Sequence, residues 1–170
     1  MVQLALLTGM RVGEILGLRW KDLDFSAGLI RIEQANYRGI LGTPKTQCSR
    51  RTLPFPKLLI EPLQALQRTS KLREPDALVF QTNRGTPFSD TNLLKRALKP
   101  AGKKLGIPWL NWHSLRRTHC TLFQVAGGSL RDAQAQLGHS KASTTLEIYT
   151  IPIPQNQRDR KSTRLNSSHV

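Results

Sequence analysis

The spacing of apolar residues in the first third of the chain predicts two short helices followed by strands. Residues 2–8 and 12–19 carry apolar side chains at helical spacing, and Gly9 separates the two segments. Residues 29–35 and 51–55 instead alternate apolar and polar side chains, which is the period of a strand with one buried face. We therefore expect both strands to pair in one small antiparallel sheet.

Helical spacing returns in the second part of the chain. Four segments follow it: 57–72, 90–105, 114–126 and 129–137. Three residues are suitable helix N-caps: Asp90, Ser114 and Ser129. Between the two strands, residues 39–50 are rich in Gly, Pro, Thr and basic residues, so we expect a mobile hairpin tip there. The predicted fold class is α+β, mainly α-helical with a small antiparallel β-sheet.

Length and composition predict one domain with a short tail. The chain has 170 residues, of which 38% are hydrophobic, enough for one packed core. No linker or internal repeat interrupts residues 1–157. Residues 158–170 lose all apolar periodicity, and their sequence resembles a translated sequencing adaptor. We therefore expect 1–157 to form the domain and 158–170 to be a disordered, non-native tail.

The charge of the chain indicates a polyanionic partner. Lys and Arg number 26 against 11 Asp and Glu, a formal net charge of +15. Residues 158–170 hold four basic residues and one acidic residue, so +12 remains without them. A basic surface suits DNA, RNA or an anionic membrane, because neutralised phosphates release counterions. Membrane is the weakest of the three, since no apolar run approaches the roughly 18 residues that span a bilayer.

Other features of the sequence favour a cytoplasmic protein without a metal or cofactor. Cys48 and Cys120 lie far apart and form no C-x-x-C pair, which argues against a disulfide framework or a zinc knuckle. The N-terminus lacks the basic region and cleavage site of a signal peptide. The sequence contains no Walker loop, no H-E-x-x-H motif and no acidic cluster for two-metal hydrolysis.

Three local motifs contain candidate groups for phosphate chemistry. In His-Ser-Leu-Arg-Arg-Thr, His113 and Arg116 are three residues apart and can share one face of a helix. In Thr-Gly-Met-Arg-Val-Gly-Glu, Arg11 stands at a predicted helix start, where Glu14 can hold its guanidinium. Leu-Gly-His-Ser contains His139, and Tyr149 follows ten residues later. Each motif alone also has a structural explanation, such as a capped helix end or a surface ion pair. Only their joint occurrence therefore indicates a site for phosphate chemistry.

Taken in order, these motifs and a Pro-Lys-Thr hairpin resemble the tyrosine recombinases of the phage integrase type. The resemblance covers roughly residues 1–150 and implies the tyrosine recombinase catalytic-domain fold, with site-specific cleavage and rejoining of duplex DNA in a mobile element. The implied catalytic residues are Arg11, Lys45, His113, Arg116, His139 and Tyr149, with Glu14 supporting the first arginine. It further implies a homotetramer on DNA for the full-length parent, and an N-terminal domain that this chain lacks.

The chemistry of phosphoryl transfer explains why such a set is needed. A tyrosine hydroxyl has a pKa near 10, so a helper must take its proton as it attacks phosphorus, and His113 is the candidate. Two guanidiniums can stabilise the charge that develops on the nonbridging oxygens, and His139 can donate a further hydrogen bond. The leaving oxygen needs a proton, for which Lys45 is the candidate. The resemblance implies a 3′-phosphotyrosyl intermediate as the product, and we expect the reaction to require neither a metal ion nor ATP.

Several alternatives remain open at this level. Arg50, Arg51 or Lys57 could replace Lys45, since any basic residue near a hairpin can contact phosphate. The same residues would also suit a type IB topoisomerase-like enzyme that relaxes DNA. A folded DNA-binding remnant without activity is the alternative from another class of protein.

Overall fold

The computed structural model describes residues 1–43, 50–139, 143, 145 and 146. Its helices are α1 (Val2–Thr8), α2 (Val12–Gly17), α3 (Ile60–Thr69), α4 (Asp90–Leu93), α5 (Lys99–Lys104), α6 (Trp112–Val125) and α7 (Leu130–Leu137). A π-helical turn, Leu94–Leu98, joins α4 to α5. Two 3₁₀ turns, Trp20–Asp22 and Lys57–Leu59, precede β1 and α3. The predicted tail, 158–170, lies outside the described residues.

The strands form two small antiparallel sheets, where the sequence predicted one. The strands are β1 (Leu23–Asp24), β2 (Leu29–Ile32), β3 (Ala35–Tyr37), β4 (Ile40–Gly42) and β5 (Arg51–Pro54). The first sheet has the order β1-β2-β5, and the second pairs β3 with β4. The strand predicted over 29–35 therefore ends at Ile32. Part of the predicted hairpin tip is strand β4, and residues 44–49 lie outside the described residues.

The backbone of β3 lies very close to α2. A Cβ atom on Gly13 would lie 2.5 Å from the carbonyl oxygen of Asn36. A Cβ atom on Gly17 would lie 2.9 Å from the Cα atom of Ala35. These glycines let α2 pack directly on the backbone of β3.

The helix starts agree with the sequence to within a few residues. Ser129 caps α7 as predicted, because its hydroxyl accepts a hydrogen bond from the Asp132 amide. The N-cap of α6, however, is Asn111 and not Ser114. The two residues hydrogen-bond each other's backbone amides at 2.8 and 2.9 Å, which places Ser114 in the first turn. The N-cap of α4 is Ser89, one residue before the predicted Asp90.

One main hydrophobic core supports the elements that carry the candidate site. Ile15 and Ile30 are fully buried, and Leu53, Trp20 and Leu115 join them from β5, the first 3₁₀ turn and α6. Each such side chain contributes about 1.5–3 kcal/mol when it is fully buried. The predicted α+β class is thus confirmed, with the core behind the α1–α2 loop and the start of α6. No helix among the described residues is long and apolar enough to cross a membrane.

Candidate active site

The loop between α1 and α2 brings a backbone carbonyl and an arginine to the same place. Gly9 ends α1 with φ +66°, a left-handed conformation that favours glycine. A Cβ atom there would also lie 2.5 Å from Cδ2 of His119. Arg11 is the N-cap of α2, as predicted, and its side chain remains 42% exposed. The tight turn at Gly9 therefore presents Arg11 toward solvent at the start of α2.

Glu14 lies at the centre of an ion-pair network that includes an unexpected arginine. Its carboxylate, 3% exposed, accepts hydrogen bonds from the Arg11 amide at 2.8 Å and the Arg11 guanidinium at 3.0 Å. Arg51 donates to both carboxylate oxygens at 2.9 Å, and its own side chain is only 8% exposed. Burial alone would raise the pKa of Glu14, but the hydrogen bonds and charges of Arg51 and Arg11 lower it overall. Glu14 is therefore an ionised anchor for two guanidiniums.

Arg116 lies behind Arg11 and is 5% exposed. Its guanidinium donates to the carbonyl oxygens of Gly9 and Leu137 and contacts Nε2 of His139 at 2.9 Å. Burial and, secondly, the Arg11 charge lower the pKa of Arg116 to about 9. It stays protonated at neutral pH.

His139 is held between Arg116 and a hydroxyl that the sequence reasoning missed. The guanidinium can only donate, so Nε2 of His139 must accept. Nδ1 therefore carries the proton and donates to the hydroxyl oxygen of Thr145 at 2.8 Å. Burial and the nearby Arg116 charge lower the pKa of His139 to about 4, so the ring is neutral at pH 7. In this arrangement Nε2 of His139 accepts a hydrogen bond from Arg116, whereas His139 was expected to donate a hydrogen bond to phosphate.

The two histidines of α6, His113 and His119, have different environments. His113 is exposed in the first turn of the helix. His119 is buried, and its ring nitrogen Nδ1 donates to the carbonyl oxygen of Leu6 at 3.0 Å. His113 is thus accessible to a ligand, while His119 is part of the packing beneath the α1–α2 loop.

Three guanidiniums meet at the C-terminal end of α7. Arg51 donates to the carbonyl of Gln136 at 2.7 Å. Arg11 lies 3.5 Å from the carbonyl oxygen of Leu137 and 3.3 Å from that of Gly138, and Arg116 also donates to Leu137. A helix end carries partial negative charge and unpaired carbonyls, so it is a suitable place to gather cations. With one carboxylate among three guanidiniums, the cluster has a net positive charge.

Of the predicted site residues, the structure brings together Arg11, Glu14, Arg116 and His139. His113 lies in the first turn of the helix that carries Arg116, and its side chain is exposed. Lys45 and Tyr149 lie outside the described residues. Arg51 does not have the exposed, phosphate-facing position considered for it as an alternative to Lys45. The alternation of β5 held the signal for this, because Arg51 shares a strand face with buried Leu53. No comparable signal marked Thr145.

Possible metal ligands do not assemble in the described part of the chain. No group of three or more His, Cys, Asp and Glu side chains there has the geometry to hold a metal ion. The charged groups that converge are arginines, which favour an anionic ligand.

The chain is similar in sequence and in fold to known recombinases and integrases. Residues 1–155 match the phage integrase family. The chain is 33% identical to a XerC-like tyrosine recombinase of Caldanaerobacter subterraneus, covering 94% of this chain and 47% of that protein. It is 30% identical to the integrase of Staphylococcus phage L54a, covering 93% and 49%. The Tn1549 transposon integrase, solved in complex with circular intermediate DNA, superposes with a TM-score of 0.76 at 25% identity, covering 95% and 58%. The chain thus spans about half the length of the curated relatives it matches.

Proposed function

Because this chain belongs to the phage integrase family, we propose that it is the catalytic part of a site-specific recombinase that cleaves and rejoins duplex DNA. The neighbouring structure of the Tn1549 integrase contains DNA, which supports DNA as the substrate here. The formal charge of +15 agrees with such a substrate.

The observation that carries this proposal is the convergence of Arg11 and Arg116 on one carbonyl. Both guanidiniums approach the Leu137 oxygen, so the two positive charges are held together against their repulsion. After burial, the charge of Arg11 is the second cause that lowers the pKa of Arg116, in agreement with this repulsion. A phosphodiester bound at the exposed side of Arg11 would relieve it and would receive charge-assisted hydrogen bonds.

In the proposed reaction, the hydroxyl oxygen of Tyr149 attacks phosphorus while the bond from phosphorus to the 5′ oxygen breaks. The negative charge on the nonbridging oxygens increases as the transition state forms. The guanidiniums of Arg11 and Arg116 stabilise this charge from fixed positions, and such contacts are worth about 3 kcal/mol each. The step leaves a 3′-phosphotyrosyl protein and a free 5′ hydroxyl.

Proton transfers complete the step. His113, exposed at the start of α6, takes the tyrosine proton, and Lys45 supplies a proton to the leaving 5′ oxygen. A 5′ hydroxyl from a second strand then attacks the phosphotyrosyl ester, which conserves the bond energy. The reaction therefore requires neither a metal ion nor ATP. For strand exchange, the full-length parent assembles as a homotetramer on DNA.

A covalent-trapping assay tests this function. The chain and its Tyr149→Phe variant are incubated with nicked suicide duplexes in EDTA, and the products are separated on denaturing gels. We expect a covalent protein–DNA band that disappears in the variant. If the folded chain binds these duplexes but yields no such band, the chain is a DNA-binding remnant and the proposed function fails.

A further inference from the structure

Arg51 links three elements of the site through its guanidinium. Its two terminal nitrogens bind both oxygens of Glu14, and its Nε binds the carbonyl of Gln136. It therefore joins β5 to both α2 and α7 through one rigid, planar group. At 8% exposure, its side chain is too buried to serve as a general contact for DNA.

The partners of Arg51 are also the supports of Arg11. Arg11 uses the same Glu14 carboxylate and the next two carbonyls of α7, those of Leu137 and Gly138. Arg11 has a 42% exposed side chain, so its own packing does not fix its orientation. Its orientation depends on Glu14 and on the end of α7, and Arg51 holds both of them in place.

We propose that Arg51 is a positioning residue for DNA cleavage: by fixing Glu14 and the end of α7, it keeps the Arg11 guanidinium aimed at the scissile phosphate. This inference rests on the proposed function. Without the guanidinium of Arg51, the Glu14 carboxylate can turn, and Arg11 loses its fixed direction. Misplacing a catalytic group by about 1 Å can cost a factor of about 100 in rate.

The charges that surround Glu14 predict how the pH profile responds. Among the described residues, Arg11 faces the carboxylate from its own helix, Arg51 from β5, and the charge of Arg116 acts on it from α6. Removing Arg51 takes away the largest of the influences that lower the pKa of Glu14. The acid limb of the plot of cleavage rate against pH should therefore move to higher pH, because Glu14 without Arg51 is protonated at a higher pH. Removal of an arginine that does not contact Glu14, such as Arg19, should leave this limb in place.

Arg19 provides a matched control. It binds the buried carboxylate of Asp22 through Nε at 3.0 Å and a terminal nitrogen at 3.1 Å, in a similar bidentate pair that involves neither Glu14 nor the end of α7. Arg19→Gln thus removes one positive charge and a buried ion pair without touching the supports of Arg11. The variants Arg51→Gln and Arg51→Lys are compared with it in single-turnover cleavage at saturating suicide duplex, well below their melting temperatures.

We expect Arg51→Gln to lower the cleavage rate about 100-fold and to shift the acid limb upward. Its affinity for the duplex should stay within about threefold of that of Arg19→Gln, because Arg51 is not an exposed phosphate contact. Arg51→Lys should retain less than about a tenth of the wild-type cleavage rate, since an ammonium cannot make the bidentate hydrogen bonds of the guanidinium. A fully active Arg51→Lys, or equal loss of rate in Arg51→Gln and Arg19→Gln, overturns the proposal.

A second readout separates this inference from the proposed function. The Glu14 carboxyl is titrated by NMR in the wild type and in Arg51→Gln without DNA, and the Arg11 Nε–H signal is followed. We expect the titration to move to higher pH and the Arg11 signal to shift. If the wild type forms no covalent adduct, the proposed function fails. The NMR titration, with the Arg11 signal, then remains as the test of whether Arg51 positions Arg11. Unchanged signals in the variant contradict the positioning role whatever the activity.

Discussion

Glu14→Gln is the substitution whose outcome depends most directly on the ion-pair network. The side chain keeps its size, but the charge between Arg11 and Arg51 is lost. Removing one partner of a buried ion pair costs about 3–5 kcal/mol, because the other charge remains desolvated. Glutamine keeps one oxygen that can accept hydrogen bonds but replaces the other with an amide donor, so we expect a loss of about 3 kcal/mol in the free energy of unfolding at pH 7.

The loss should depend on pH in a defined direction. The pKa of Glu14 is lowered in the folded chain from its ordinary value of 4.5. A carboxylate of this kind stabilises the fold above pH 4.5, and that contribution disappears as the pH falls through the folded pKa. The stability difference between the wild type and Glu14→Gln should therefore be complete at pH 7 and become smaller in acid.

Urea denaturation across this pH range measures the effect, and Asp22→Asn provides the control. The Asp22 side chain is 4% exposed and holds Arg19 much as Glu14 holds its partners. Both variants should lose stability, but only Glu14→Gln should slow covalent trapping on suicide duplexes, by about 10–100-fold. A Glu14→Gln variant within about 1 kcal/mol of the wild type would refute the reasoning, as would equal slowing by Asp22→Asn.

Three further substitutions test other parts of the site. Arg116→Lys should lower stability by about 2–3 kcal/mol and the trapping rate about 100-fold, because an ammonium cannot reach the three acceptors of the guanidinium; thermal melts and single-turnover kinetics check both. Gly9→Ala should cost about 2–4 kcal/mol in urea denaturation, since it adds a clash with His119 to the strain of φ +66°, whereas Gly127→Ala, at φ +82° with nothing within 4 Å, should cost about 1–2 kcal/mol. The pKa of His139 is lowered from 6.5 to about 4, so the wild type should lose stability as the pH falls from 6.5 to 4. His139→Gln should reduce this loss of stability by about 1–2 kcal/mol; the effect is this small because the ring is partly exposed and solvent screens its charge.

The sequence predicted the parts of the site that depend on local signals. Arg11 follows a glycine that ends one helix and directly precedes the next apolar period, so its place at a helix start could be predicted. The cap at Ser129 and the position of Arg116 inside a helix depend on similarly local patterns. The fold class followed from the same periodicities.

Long-range partners could not be predicted from these patterns. Strand alternation shows which face of a segment is buried, but not which strand it pairs with, so the change of sheet after Ile32 was missed. Asn111 and Ser114 are both favourable caps three residues apart, and only their reciprocal hydrogen bonds show which one starts α6. The partner of Arg51 was missed because the carboxylate of Glu14 lies 37 residues away in the chain.

The identity of the residue that becomes linked to DNA tests the central claim most directly. The covalent adduct formed on a suicide duplex is digested with nuclease and protease, and the modified peptide is sequenced by mass spectrometry. We predict a nucleotide attached through its 3′ phosphate to Tyr149. The chain has two tyrosines, so a nucleotide found on Tyr37, or on a residue other than tyrosine, would contradict the account.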